Sequence, residues 1–437
     1  MSIKPDSLAR GGVAAPAAST SEPQPLSLPA TVVTSGSPLR GKRAAMVVFS
    51  PYPADPRPRR AAETLLKEGM NVELICEGEE KSPKREKLDR MEIIRVSIKH
   101  HRGGVLSYAY QYSAFILISA AILAWRSLRR HYDLIYVHNM PDILVVSALL
   151  PKLLGAKVIL DQHDPMPELM KTIFNLDDSL RVWVIRRLEK WSIARADLVI
   201  TVNVACKRIF AARSCSPEKI GIVMNSPDGE IFPYRAARSY PAGTGSQPFV
   251  IMYHGSLVER NGLDLAVDAL AQVHKSIRDA QLRVYGQSTP YLEQVLEKTR
   301  SLGLENRVRY LGPKNLEQLV HEIEECDVGV IPNHRNAFTD INTPTRIFEY
   351  LALGKPVIAP RTPGIQDYFG PESLFFFESG NSKELAQQIT YVSAHRNQAI
   401  EIAERGQQVY LAHTWSQERQ ALVNLVSGLL QGELRTA

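Results

Sequence analysis

The chain has 437 residues, 44% hydrophobic and 22% charged, the balance of an ordinary globular protein with length for two or three domains. Its net charge of +6 is concentrated in residues 41–235, yet no zinc-finger spacing, RNA-recognition signature or basic stripe interleaved with aromatics accompanies it, so no nucleic acid partner is expected. Cys76, Cys206, Cys215 and Cys326 stand without metal-like spacing, which argues against a disulfide framework or a zinc site and suits a reducing, cytoplasmic setting.

Residues 1–40 are rich in Ala, Ser, Thr and Pro and are expected to form a disordered tail; they lack the basic start and apolar run of a signal peptide. From Ala44 the pattern becomes regular. Strands are expected at Ala45–Phe49, Val72–Cys76, Ile93–Ile98, Leu134–Val137 and Val158–Asp161, separated mostly by helical segments such as Ala61–Lys67. That alternation predicts a parallel sheet covered on both faces, a Rossmann-like domain over residues 41–235. The first strand runs into Ser50–Arg60, not into a GxGxxG turn, which removes the main support for dinucleotide binding.

Ala114–Trp125 is a run interrupted only by Ser119, short of the roughly eighteen residues needed to cross a bilayer. Tyr108, Tyr110, Tyr112 and Trp125 flank it, Arg126, Arg129 and Arg130 close it, and basic residues precede it. The pattern fits an interfacial helix, with residues 81–130 touching a membrane, or a buried crossover helix. His163 then follows directly on a strand's carboxyl end, where open parallel sheets place ligands. Asp161, Asp164 and Glu168 surround it in sequence and can orient the ring or receive hydroxyl groups, while a structural role fits His138 equally well. Leu180–Arg195 reads as a basic amphipathic helix with Trp183 and Trp191, and the Pro- and Gly-rich stretch around Tyr240–Gln247 places a linker at 236–248.

The second domain, 249–412, opens with strand Phe249–Tyr253 and "HGSLVERNGLDLAVDAL". His254, Gly255 and Ser256 line that turn, Arg260 offers a fixed positive charge, and Gly262 precedes a helix whose first amides suit a diphosphate. Strand Leu282–Gly286 ends where a nucleotide base can rest, near Tyr285, Gly286 and Gln287. Asp340 then leads into a helix with Thr343 as cap, Pro344 at its first position, Thr345 and Arg346 in its first turn, and Glu349 placed to bind a diol. Gly354 stops this helix before strand Pro356–Ala359, and helices are expected at Ser382–Ala394, Ala399–Ala412 and Ser416–Gln431.

"TPTRIFEYLALGKPVIAP", "YPADPRPRRAAETLLKEG", "RADLVITVN" and "RVRYLGPKNLEQLVHEIEECDVGVIPN" resemble glycosyltransferase family 4 and its GT-B relatives, over roughly residues 42–430. The resemblance implies an α/β protein of two Rossmann-like domains facing across a cleft. It places a nucleotide-sugar donor on the second, at His254, Gly255, Ser256, Arg260, Gly286, Asp340, Thr343, Thr345, Arg346 and Glu349, with ribose on Glu349. Ile341 occupies the position of a second family glutamate, for which the adjacent Asp340 can substitute. The acceptor side falls on Asp55, Arg57, Arg60, His138 and Glu168, the catalytic role on His163 with Asp161 and Asp164, and residues 413–437 are a helix crossing back to the first domain. No Asp-x-Asp pair occurs, so neither metal nor other cofactor is expected beyond the NDP-sugar co-substrate.

The implied activity is retaining transfer from an NDP-sugar to a glycan or lipid-linked acceptor in surface or exopolysaccharide biosynthesis, in the cytoplasm at the inner face of the plasma membrane. Two other expectations are a nucleotide-sugar epimerase on the same fold and a non-catalytic sugar-nucleotide-binding partner of a polysaccharide assembly complex.

Overall fold

The computed structural model describes residues 36–79, 82–98, 105–174, 180–237 and 248–433; the expected tail, except its last residues, and the Tyr240–Gln247 stretch fall outside them. The chain divides into two compact units. One takes the chain up to Val202, Cys206–Val223 and the part from Arg419 onward; the other takes Asn203–Ala205 and Met224–Glu418.

In the first unit, eight strands form one sheet: β1 (Arg43–Pro51), β2 (Asn71–Glu77), β3 (Arg85–Leu88), β4 (Met91–Val96), β5 (Leu134–His138), β6 (Lys157–Gln162), β7 (Leu198–Thr201) and β8 (Ile220–Ile222). Their order is β3-β4-β2-β1-β5-β6-β7-β8, parallel except for the β3–β4 pair. The central strands are apolar almost throughout because helices cover both faces. The order reverses between β1 and β5, so His138 stands beside a topological switch point and the His163 loop is next to it. The edge strand β3 alternates exposed and half-buried residues, a pattern too polar to stand out in the sequence.

Helix Val105–Ser127 contains no membrane-spanning segment. Its basic end differs from the interfacial reading: Arg126 is buried and donates to Glu73 on β2 (2.6 Å) and to Glu92 on β4, and Arg130 also donates to Glu73 (2.6 Å). The two arginines therefore anchor this helix to the sheet. Glu73 accepts from the Tyr132 hydroxyl as well (2.6 Å), so its own buried charge is compensated.

The second unit's sheet contains β9 (Phe249–His254), β10 (Ala280–Tyr285), β11 (Val308–Tyr310), β12 (Val328–Val330), β13 (Val357–Pro360) and β14 (Phe375–Phe377). All pairs are parallel in the order β11-β10-β9-β12-β13-β14. The switch point lies between β9 and β12. Helix Thr345–Ala352 buries Ile347, Phe348, Leu351 and Ala352 as their spacing predicts, and Tyr350 too, whose hydroxyl donates to the Met252 carbonyl (2.9 Å).

Helix Trp415–Gln431 closes the described chain. Leu422, Val423, Val426 and Leu429 are buried among Leu39, Val72, Leu74 and Tyr136 of the first unit. Arg419 adds a hydrogen bond to the buried Glu68 (3.0 Å).

Candidate active site

The switch point of the first unit collects a buried polar cluster. Asp161, at the end of β6, accepts from the Tyr136 hydroxyl (2.8 Å). Its other oxygen lies 3.2 Å from His163 Nε2, and His138 Nδ1 lies 3.1 Å from the same nitrogen and 3.4 Å from the carboxylate. Burial opposes ionisation of Asp161, but the two rings and the tyrosine hydroxyl outweigh it and hold the carboxyl down at about 2. Burial pushes His138 down to about 3, so its ring is neutral. His138 Nε2 is buried without a hydrogen-bond partner. An unpaired buried N–H is the costlier orphan, so the proton belongs on Nδ1, facing His163 and Asp161.

His163 is thus held through Nε2, with Nδ1 as the ring nitrogen outside this network. Its backbone is clamped as well: Asn139 Oδ1 accepts from His163 N (2.9 Å), while Asn139 Nδ2 donates to Gln162 Oε1 (2.8 Å) and the Asp164 carbonyl (2.9 Å). The imidazole nitrogens and the carboxylate lie within 4.8 Å of one another, a spacing that a divalent cation could bridge. Asp142, bonded to Asn139 (3.1 Å), is pushed up to about 7 by burial and the nearby Glu189.

In the second unit, Arg346 joins the two sides of the switch point. Its Nη1 donates to the His254 carbonyl at the end of β9 (2.8 Å) and its Nη2 to Asn333 Oδ1 beyond β12 (3.2 Å), with the guanidinium 5.1 Å from the Tyr253 ring centroid. Arg346 lies in the first turn of helix Thr345–Ala352, which has no side-chain cap, and Glu349 lies three residues on. Glu349 Oε2 stands 3.4 Å from His254 Nε2. This is not an ion pair, because burial and the Arg346 charge push His254 down to about 3; the neutral ring packs on Tyr350, 4.9 Å between centroids.

The neighbouring loops are shaped by bare backbone. Gly262 has φ +67° where a Cβ would sit 1.9 Å from the Pro332 carbonyl oxygen, so only glycine lets helix Leu263–Val273 start against the β12 loop. A Cβ at Gly286 would meet the Gly255 carbonyl at 2.2 Å. On the first turn of that helix, Asp264 Oδ1 accepts from Tyr291 (2.5 Å) and from His334 Nε2 (2.9 Å). The His334 hydrogen bond to Asp264 raises that imidazole, favouring its charged form, and the His334 backbone bonds the Arg260 loop (His334 N to Arg260 O, 3.0 Å). Cationic groups, an uncapped helix start and a carboxylate one turn on suit an anion linked to a diol.

Several expected residues have other duties. Thr343 does not cap the helix: its hydroxyl donates to the Gly364 carbonyl (2.7 Å) and accepts from Asn203 (3.2 Å), and Pro344 takes the cap position. Tyr285 is buried with its hydroxyl on Glu322 (2.5 Å), so it offers no platform to a base. Both Glu168 oxygens are occupied by Arg213 (2.6 and 2.9 Å), which makes this residue a brace, not a receiver of acceptor hydroxyls. Asp55 caps helix Pro56–Lys67 through Arg57 N (3.1 Å), which places Arg57 and Arg60 on that helix. Asp340 Oδ2 accepts from Arg335 Nε (3.1 Å), and its Oδ1 is buried without a hydrogen-bond partner. Ser256 is exposed and contributes its carbonyl, to Tyr253 (2.9 Å) and Asn261 (2.8 Å). Asn139, Asn333 and His334 carry no motif and are marked only by lying just beyond strand ends, and Tyr136, in the middle of β5, carries no signal of its own.

Residues 59–230 match the family described as Glycosyltransferase Family 4, and residues 240–409 match Glycosyl transferases group 1. Among curated relatives, a D-inositol 3-phosphate glycosyltransferase of Corynebacterium diphtheriae is 25% identical over 191 residues, 41% of this chain and 44% of the relative. The match thus spans about half the length of such relatives. Sucrose-phosphate synthase from Thermosynechococcus elongatus shares the fold with a TM-score of 0.71 at 19% identity, covering 90% of this chain and all of that one. The Anabaena protein HepE, solved with UDP-glucose, does so with a TM-score of 0.66 at 17% identity, covering 88% and 99%. With one model on each half and neighbours of this architecture over nearly the whole chain, the protein belongs to the GT-B glycosyltransferases of the family 4 type.

Proposed function

We propose that the chain is a retaining glycosyltransferase moving a sugar from a nucleoside diphosphate sugar to a glycan or lipid-linked acceptor. The observation that carries this reading is the β9–β12 switch point, where Arg346 and Glu349 sit on one uncapped helix start. The helix amides, Arg346 and Arg260 receive the diphosphate, and Glu349 receives the ribose hydroxyls. Nucleotide-sugar complexes of a structural neighbour, such as HepE with UDP-glucose, support that class of donor. Ionised Asp161 behind His163 suits stabilisation of the sugar as positive charge develops at its anomeric carbon.

In the proposed step the bond from the anomeric carbon to the diphosphate oxygen breaks with its electron pair leaving on the diphosphate. The acceptor oxygen bonds to the same face of that carbon, and its proton passes to the departing phosphate oxygen. No covalent enzyme intermediate and no metal ion is needed. Surface or exopolysaccharide assembly at the cytoplasmic face of the membrane is the setting this reading favours.

The test is a panel of UDP, GDP, ADP and dTDP sugars, scored by thermal shift and nucleotide release, with Glu349→Ala in parallel. Stabilisation by one nucleotide class that Glu349→Ala weakens at least tenfold is the expected result. Folded protein that responds to none of them overturns the donor assignment. Isomerised nucleotide sugar formed without an acceptor replaces transfer by epimerisation.

A further inference from the structure

Helix Leu180–Arg195 is turned inside out. Its buried residues are Val182, Glu189, Ser192 and Ile193, so the one acid of the helix faces the protein, where Glu189 accepts from Arg213 (2.6 and 2.8 Å) and Ser214 (2.7 Å). The opposite side carries the large apolar residues: Leu180 is 75% exposed, Trp183 53%, Val184 42% and Leu188 42%. At 3.6 residues per turn these fall on one stripe together with Trp191. Arg181 lies on one flank of that stripe, Arg186 and Lys190 on the other, all exposed. Arg187 and Arg195 lie over the rings of Trp183 and Trp191, at 5.0 and 4.9 Å. No acidic side chain is exposed anywhere on this helix.

We infer that the outer face of helix Leu180–Arg195 lies in the interface of an anionic lipid bilayer. The core of a protein–protein interface is depleted of charge, whereas here cations alternate with tryptophan and aliphatic groups around one exposed face. An interfacial helix requires that mixture: apolar groups enter the acyl boundary, tryptophans sit at headgroup level, and long basic side chains reach up to lipid phosphates. The inference is independent of the sugar chemistry and shifts membrane contact away from the 81–130 segment, whose Arg126 and Arg130 are engaged with Glu73.

The experiment is sedimentation of the full chain with vesicles of phosphatidylcholine alone or with 30 mol% phosphatidylglycerol. Partition into the anionic vesicles, weakening as salt is raised, is expected. Arg181→Gln with Lys190→Gln should lower partition about thirtyfold, since each cation near an anionic surface contributes roughly fivefold. Trp183→Ser with Leu188→Ser should lower it at least tenfold and abolish quenching of tryptophan fluorescence by brominated lipid. A Leu117→Ser, Trp125→Ser variant, on the other exposed apolar helix, should partition like the parent. The proposal is overturned if the parent ignores anionic vesicles, if the Leu180–Arg195 variants bind them unchanged, or if those variants instead dissociate an oligomer formed without lipid. Nucleotide stabilisation of every variant, measured alongside, reports on the donor site separately and on folding.

Discussion

Residue by residue, burial decides which ionisable groups are charged. His254 is buried and depressed to about 3, whereas an unfolded histidine titrates near 6.5. Because the folded state resists the proton that the unfolded chain accepts, the group costs nothing above about pH 6.5 and destabilises the fold progressively below it. At pH 5 the cost is about 2 kcal/mol. His254→Phe should therefore be less acid-labile than the parent: the difference in unfolding free energy between the two, measured by denaturant titration at pH 8 and pH 5, should shift by about 2 kcal/mol in the variant's favour. An unchanged difference would show that His254 is not a buried neutral ring.

At the same scale, the role proposed for His163 separates a reacting group from those that would aim it. His163→Ala should lower kcat at least a hundredfold with little change in donor stabilisation, as expected for a group acting on developing charge. Asn139→Ala should give a smaller loss, because it frees the backbone that holds the ring without removing the ring. Donor turnover by His163→Ala at the parental rate would remove the histidine from the mechanism.

Among the elements, the start of helix Leu263–Val273 beside the second switch point depends on one close approach that no side chain could tolerate. Gly262→Ala should cost about 3 kcal/mol or more, since its Cβ meets the Pro332 carbonyl and its φ lies in the left-handed region. Thermal unfolding checks this, and a loss below 1 kcal/mol would mean the β12 loop yields. Glycine before an amphipathic run is visible in sequence as a turn before a helix. Its contact with a loop seventy residues later is not, because that proximity comes from β9 and β12 being sheet neighbours.

Thr343 shows the same limit. Threonine before proline is a sound capping signal, but a carbonyl from Gly364 competes for the hydroxyl and wins. Glu168 and Arg126 were likewise drawn into buried ion pairs with partners distant in sequence.

For the whole molecule, the described tail of the chain belongs to the first unit's core. Deleting residues 419–437 removes four buried apolar side chains, each contributing about 1.5–3 kcal/mol, a total comparable to the stability of a domain. The first unit should then fail to fold cooperatively, detected as loss of one calorimetric transition while nucleotide stabilisation of the second unit persists. Metal dependence is also a whole-enzyme property: transfer should survive EDTA at the parental rate. Loss of activity restored by a divalent cation would instead point to His138, Asp161 and His163 as its ligands.

The sequence alone determined the alternation of strand and helix, the parallel sheets and the positions of His163, Arg346 and Glu349, because periodicity, glycine and helix-start signals act over a few residues. Only the tertiary structure decided which groups are charged, which hydroxyl caps, and which carboxylates are already occupied. It also decided that helix Leu180–Arg195 turns its acid inward and its tryptophans outward. Those outcomes depend on partners brought together by sheet order and on the dielectric cost of burial, neither of which is encoded in local spacing.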